Sequence, residues 1–101
     1  MSENAQRRLA AIVLADVVGY SRLIGRDEAG ALAALRRHRA ELIDPKITEY
    51  GGRIVKTLGD GLLIEFPSVV HATQCSLELQ SGMTERNKGM EAERRIEFRV
   101  G

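Results

Sequence analysis

A chain of 101 residues has room for one small domain, and 44% apolar residues supply a modest core. Fifteen Lys and Arg against 14 Asp and Glu leave a net charge of +1, too little to draw the chain onto nucleic acid or an anionic membrane, so no nucleic-acid partner is expected. The single cysteine, Cys75, excludes an internal disulfide, no apolar run approaches the ~20 residues that cross a bilayer, and residues 1–8 lack the apolar stretch of a signal peptide; a cytoplasmic chain with no membrane segment is expected.

Residues 9–15 are an unbroken apolar run, the length of a buried strand. The chain then leaves through Asp16-Val17-Val18-Gly19-Tyr20-Ser21 into a turn or short helix. From Asp27, suited to cap a helix, Leu32, Leu35, Leu42, Ile43, Ile47 and Tyr50 recur at helical spacing, predicting an amphipathic helix bent near Pro45. Gly51-Gly52 ends it. Residues 53–58 and 62–66 read as two strands joined through Gly59-Asp60-Gly61. Pro67, fitted to a first turn because it lacks an N–H, and Ser68 open a second helix through Val69, Ala72, Cys75, Ser76, Leu79 and Met83, a face that is apolar and small. Residues 87–93 form a polar loop, and Ile96, Phe98 and Val100 then alternate with Glu97 and Arg99 as a last strand.

The order strand, helix, strand, strand, helix, strand predicts an α+β fold, the ferredoxin-like βαββαβ arrangement, in which two right-handed crossovers cover one face of an antiparallel sheet. No repeat or linker divides residues 1–101. The second and third strands are apolar at nearly every position, so the bare sheet face is expected to be covered by a protein partner.

In this topology the third strand runs antiparallel beside the first, which brings Asp16 to the hairpin carrying Asp60. Neighbouring strands lie ~4.8 Å apart, and two carboxylates that close repel unless a proton or cation lies between them. Mg²⁺ suits such a pair, since it takes one or two carboxylates with phosphate oxygens and water. The backbone N–H groups of Val17, Val18, Gly19, Tyr20 and Ser21 would cradle a triphosphate. The residues alone leave another reading open, because an Asp after a strand is a common helix cap and Gly-Asp-Gly a common turn. Lys56, grouped with Ile54 and Leu58 on one strand face, is expected to be buried and to need an acceptor. His38 and His71 read as helix-surface residues, Cys75 as core, and the basic cluster around Arg36, Arg37 and Arg39 as a solvated face.

Ala15-Asp16-Val17-Val18-Gly19-Tyr20-Ser21 and Gly51-Gly52-Arg53-Ile54-Val55-Lys56-Thr57-Leu58-Gly59-Asp60-Gly61, at their spacing, resemble the two leading motifs of class III adenylate and guanylate cyclases. The likeness runs from about residue 9 to 101 and marks the chain as the amino-terminal part of such a catalytic domain. It implies that Asp16 and Asp60 hold two Mg²⁺ or Mn²⁺ ions with the Val17 carbonyl, and that ATP is converted to cyclic AMP and pyrophosphate in signal transduction. It implies further that Lys56 reads adenine where users of GTP carry glutamate, and that two copies pair through the open sheet face as a homodimer. The family's later asparagine and arginine have no counterpart before Gly101, so this chain alone is expected to lack full activity; the alternative is a catalytically dead cyclase-like regulatory or nucleotide-binding module. An RNA reader of the same fold should show stacking aromatics on its central strands, and here only Phe66 and Phe98 lie in strands. A palm-type transferase such as a diguanylate cyclase also pairs carboxylates on this sheet, and the motif around Lys56 argues against it.

Overall fold

The computed structural model describes residues 11–101. Strand β1 is Ala11–Val17, with Val13, Ala15 and Val17 buried. It runs two residues past the expected end at Ala15, because Ala15, Asp16 and Val17 pair with Val100, Arg99 and Phe98 at the far end of the chain. Asp16 therefore sits inside a strand rather than after one; residues 9 and 10 of the expected strand lie outside the described residues.

Gly19, at φ 67°, turns the chain into helix α1 (Tyr20–Arg26). Asp27 then caps α2 (Glu28–His38), its carboxylate accepting from the Gly30 N–H at 3.1 Å. The expected single bent helix is instead α2, a π-helical turn (Arg39–Ile43) and α3 (Asp44–Glu49). Pro45 has no N–H to give the Glu41 carbonyl, so the regular ladder cannot pass through this point. At the end of α3, Gly51 takes φ 72°; its N–H bonds the Thr48 carbonyl at 3.0 Å and that of Gly52 bonds the Ile47 carbonyl at 2.8 Å, the paired bonds of a Schellman stop.

Strands β2 (Arg53–Leu58) and β3 (Gly61–Phe66) follow as a hairpin. Helix α4 (Val69–Asn87) is capped by Ser68, whose hydroxyl accepts from the His71 N–H, so Pro67 precedes the cap rather than forming the first turn. The loop then makes one 3-10 turn (Ala92–Arg94), and the chain closes on β4 (Phe98–Val100). The sheet order β2-β3-β1-β4, antiparallel throughout, is the ferredoxin-like one.

All helical layers lie on one face. Ile43 and Ile47 on one side and Ala72, Cys75 and Leu79 of α4 on the other pack onto Val13, Leu62, Ile64 and Phe66. The opposite face is less apolar than the sequence suggested. It alternates Ile12, Leu14 and Leu63 with charged residues, Arg53 pairing Glu65 across the strands at 2.9 Å and Arg99 lying against Asp16.

A bulge in β2 decides where Lys56 goes. Ile54 pairs with Ile64, but Lys56 pairs with Leu63, with a register shift between them. Residues opposite each other in a ladder share a face, so Ile54 turns toward the helices and Lys56 toward the open side. Lys56 is thus exposed on the bare face rather than buried beside Ile54.

Candidate active site

Asp16 and Asp60 converge at the carboxyl end of β1. The hairpin loop is Gly59-Asp60, closed by the pair Leu58 and Gly61, and Gly59 at φ 61° supplies the tight reversal that only glycine adopts freely. From this loop Asp60 reaches across, and its Oδ2 accepts a hydrogen bond from the Val17 N–H at 3.2 Å. Val17 follows Asp16, so the two acidic residues are one peptide unit apart along this contact. In extended backbone the N–H and C=O of one residue point to the same side, which turns the Val17 carbonyl toward Asp60 as well.

The Asp16 carboxylate is 30% exposed and stands on the open side of the sheet, opposite Arg99. Its Oδ1 is buried and has no hydrogen-bond partner, although the Arg99 Nε lies 3.3 Å away. An ionised oxygen left in this state is costly, and a bound cation would satisfy it. Two carboxylates, one with an orphaned oxygen, and an inward-turned carbonyl fit a hard divalent ion that draws its other ligands from phosphate and water. Among the described residues no group of three or more His, Cys, Asp or Glu gathers at this site or any other, so the remaining ligands would have to come from the backbone, phosphate and water.

The backbone cradle is narrower than the sequence suggested. The Val17 N–H is taken by Asp60 and the Val18 N–H by the Glu97 carbonyl at 2.8 Å, so neither is offered to a phosphate. Gly19 turns its carbonyl onto the N–H groups of Arg22 and Leu23, both at 3.1 Å. The N–H groups of Tyr20 and Ser21 open α1, where a helix has no partner of its own for them. Tyr20 also lines, with Asp60, Thr57, Leu35, Arg36 and Arg39, a groove of about 530 Å³ under the hairpin.

Lys56 shares the open face with Asp16 but lies two strands away, on the order of 10 Å. The structure therefore brings Asp16, Val17 and Asp60 together, sets Gly19, Tyr20 and Ser21 beside them, and leaves Lys56 apart. Arg99 is the neighbour that sequence reasoning missed. Its alternation with Phe98 and Val100 marks it as outward-facing, but only the β1–β4 register puts it against Asp16.

No family model matches the chain. Over 99 residues it is 43% identical to "Putative adenylate cyclase 3" of Rhizobium meliloti (strain 1021), an alignment that takes in 98% of this chain and 17% of that protein. The crystal structure of an adenylate/guanylate cyclase/hydrolase from Silicibacter pomeroyi superposes with a TM-score of 0.84 at 45% identity, covering 96% of this chain and 56% of the other. The chain belongs to the class III adenylate/guanylate cyclase domains. The guanylyl cyclase Cya2 superposes with a TM-score of 0.72 at 25% identity, over 91% of this chain and 51% of that one. Within this cyclase domain the two motifs that resemble the family's fall on the β1 end and the β2–β3 hairpin, the two elements that meet at Asp60 and Val17.

Proposed function

We propose that this chain carries the metal-binding and purine-reading half of an adenylate cyclase site, which converts ATP to 3′,5′-cyclic AMP and pyrophosphate. The observation that carries this reading is the Asp60 carboxylate seated on the Val17 amide, next to an Asp16 carboxylate with one buried, unbonded oxygen.

Asp16, Asp60 and the Val17 carbonyl would hold two Mg²⁺ or Mn²⁺ ions, which supply a lowered 3′-hydroxyl pKa and charge neutralisation on the triphosphate. The chain's own residues do the rest of the positioning. The Val17 N–H fixes Asp60 against the end of β1, so the donor set is assembled before ligand arrives. The N–H groups of Tyr20 and Ser21, at the open start of α1, would be the backbone donors left for a phosphate. Lys56 donates a hydrogen bond, which suits adenine N1; guanine presents an N1–H there, and two facing donors cost roughly 1–3 kcal/mol.

Lys56 and Asp16 stand on the same open face, two strands apart. A homodimer that apposes two such faces brings the lysine of each copy toward the aspartates of the other, and the exposed Ile12 and Leu14 give it apolar contact. No helix among the described residues is long and apolar enough to cross a membrane.

The test is Mn²⁺-ATP binding together with product analysis from ATP and GTP. The chain is expected to bind Mn²⁺-ATP, and Asp60→Ala to weaken that binding at least tenfold. Cyclic AMP, and not cyclic GMP, is expected from a longer chain that includes the family's asparagine and arginine. Metal-dependent ATP binding with no cyclic AMP from the longer chain would instead favour a regulatory nucleotide-binding domain. Binding indifferent to Asp60→Ala would remove the site altogether.

A further inference from the structure

Asp16 and Asp60 are held in different ways. Asp60 is fastened by a neutral backbone N–H, whereas Asp16 has a guanidinium beside it. The pairing is built into the sheet. Asp16 and Arg99 are direct partners across β1 and β4, so both side chains rise on the open face. The Arg99 Nε comes to 3.3 Å of Asp16 Oδ1, the same oxygen that is buried and makes no hydrogen bond. The contact is therefore one of charge, without a directional bond that would use up the oxygen's lone pairs. The Arg99 side chain is 73% exposed, so it can swing into water without unpacking anything.

We propose that Arg99 is a resident counter-ion of Asp16 that a divalent cation must displace, and that this arginine sets how tightly the site takes metal. The inference rests on the metal-site reading above. A guanidinium and a divalent ion compete for one oxygen, and two positive charges a few ångströms apart repel. Before metal arrives, Arg99 offsets the charge of Asp16 close to Asp60; with metal bound, the exposed guanidinium is displaced into solvent.

The experiment is titration of the whole chain with Mn²⁺ alone, followed by electron paramagnetic resonance of free Mn²⁺. Arg99→Met and Arg99→Gln, both neutral, are expected to bind Mn²⁺ about 3- to 10-fold more tightly than the unaltered chain at low salt, with the gain shrinking near ~0.5 M salt as the guanidinium is screened. Arg99→Lys, which keeps the charge, is expected to stay near the unaltered chain. Asp60→Ala should abolish the binding in every background. Equal or weaker Mn²⁺ affinity in both neutral variants, with binding still lost in Asp60→Ala, overturns the counter-ion role and leaves the cyclase reading standing. Absence of any Asp60-dependent Mn²⁺ binding, in the unaltered chain and the neutral variants alike, overturns both.

Discussion

Arg86 Nε donates to His38 Nδ1 at 2.8 Å, which puts the imidazole's own proton on Nε2. Helical spacing alone makes His38 a surface residue, but the side chain is only 5% exposed, because α4 brings Arg86 over it while Arg86 also pairs with Glu41 of the π-helical turn. Burial depresses the His38 pKa first, and the charges of Arg86 and Arg37 depress it further against a smaller opposing pull from Glu41. The unfolded chain takes up this proton near pH 6.5 and the folded chain only at lower pH. The stabilisation is thus fully present above about pH 6.5 and is lost as the pH falls below it. Urea midpoints should drop between pH 7.5 and 5.5, and His38→Gln should flatten that slope; an unchanged slope would refute the assignment. Cys75 at the centre of the core is the opposite case, inert to ordinary pH because burial pushes its thiol up to about 11.

At the stop that ends α3 the packing leaves no room for a side chain. A Cβ on Gly52 would lie 2.6 Å from the Phe66 ring, and Phe66 is 1% exposed with nowhere to move. Gly52→Ala should therefore destabilise the chain by about 1–3 kcal/mol through overpacking. Gly25→Ala, inside α1 where a Cβ meets nothing within 4 Å, should stabilise by ~0.5–1 kcal/mol. Chemical denaturation of the two variants side by side checks both, and a neutral Gly52→Ala would mean that the end of α3 yields. The same α3 is tied to α4 through Glu78, which accepts from Lys46 Nζ at 2.6 Å and from the Tyr50 hydroxyl. The β2 bulge matters at this scale too, because one inserted residue carries Lys56 from the helix face to the open face.

The molecule as a whole leaves one sheet face without a layer. Ile12 is 54% exposed and Leu14 43%, flanked by the Arg53–Glu65 and Arg99–Asp16 pairs. An apolar strip edged with charges of both signs suits a self-complementary contact better than a purely apolar face would, since it stays wettable in the monomer. If the proposed homodimer uses this face, Leu14→Asp should shift the chain toward monomer in sedimentation equilibrium by at least tenfold in the association constant, while far-UV circular dichroism stays the same. A dimer unaffected by Leu14→Asp would have to use another surface.

Much of this was readable from the order of residues. The apolar runs of the first three strands and the alternation of the last, the 3.6 period from Leu32 to Tyr50, the cap at Asp27 and the glycines at positions 51, 52 and 59 are local properties, and they led to the ferredoxin-like order and to the approach of the Asp60 hairpin to the end of β1. What the sequence could not disclose depends on contacts between distant segments. The length of β1, and with it the placement of Asp16 beside Arg99, follows from pairing with β4, over 80 positions away. The burial of His38 follows from the docking of α4, and the outward turn of Lys56 from a bulge that no local pattern announces, because register is settled by which side chains the two sheet faces can bury together.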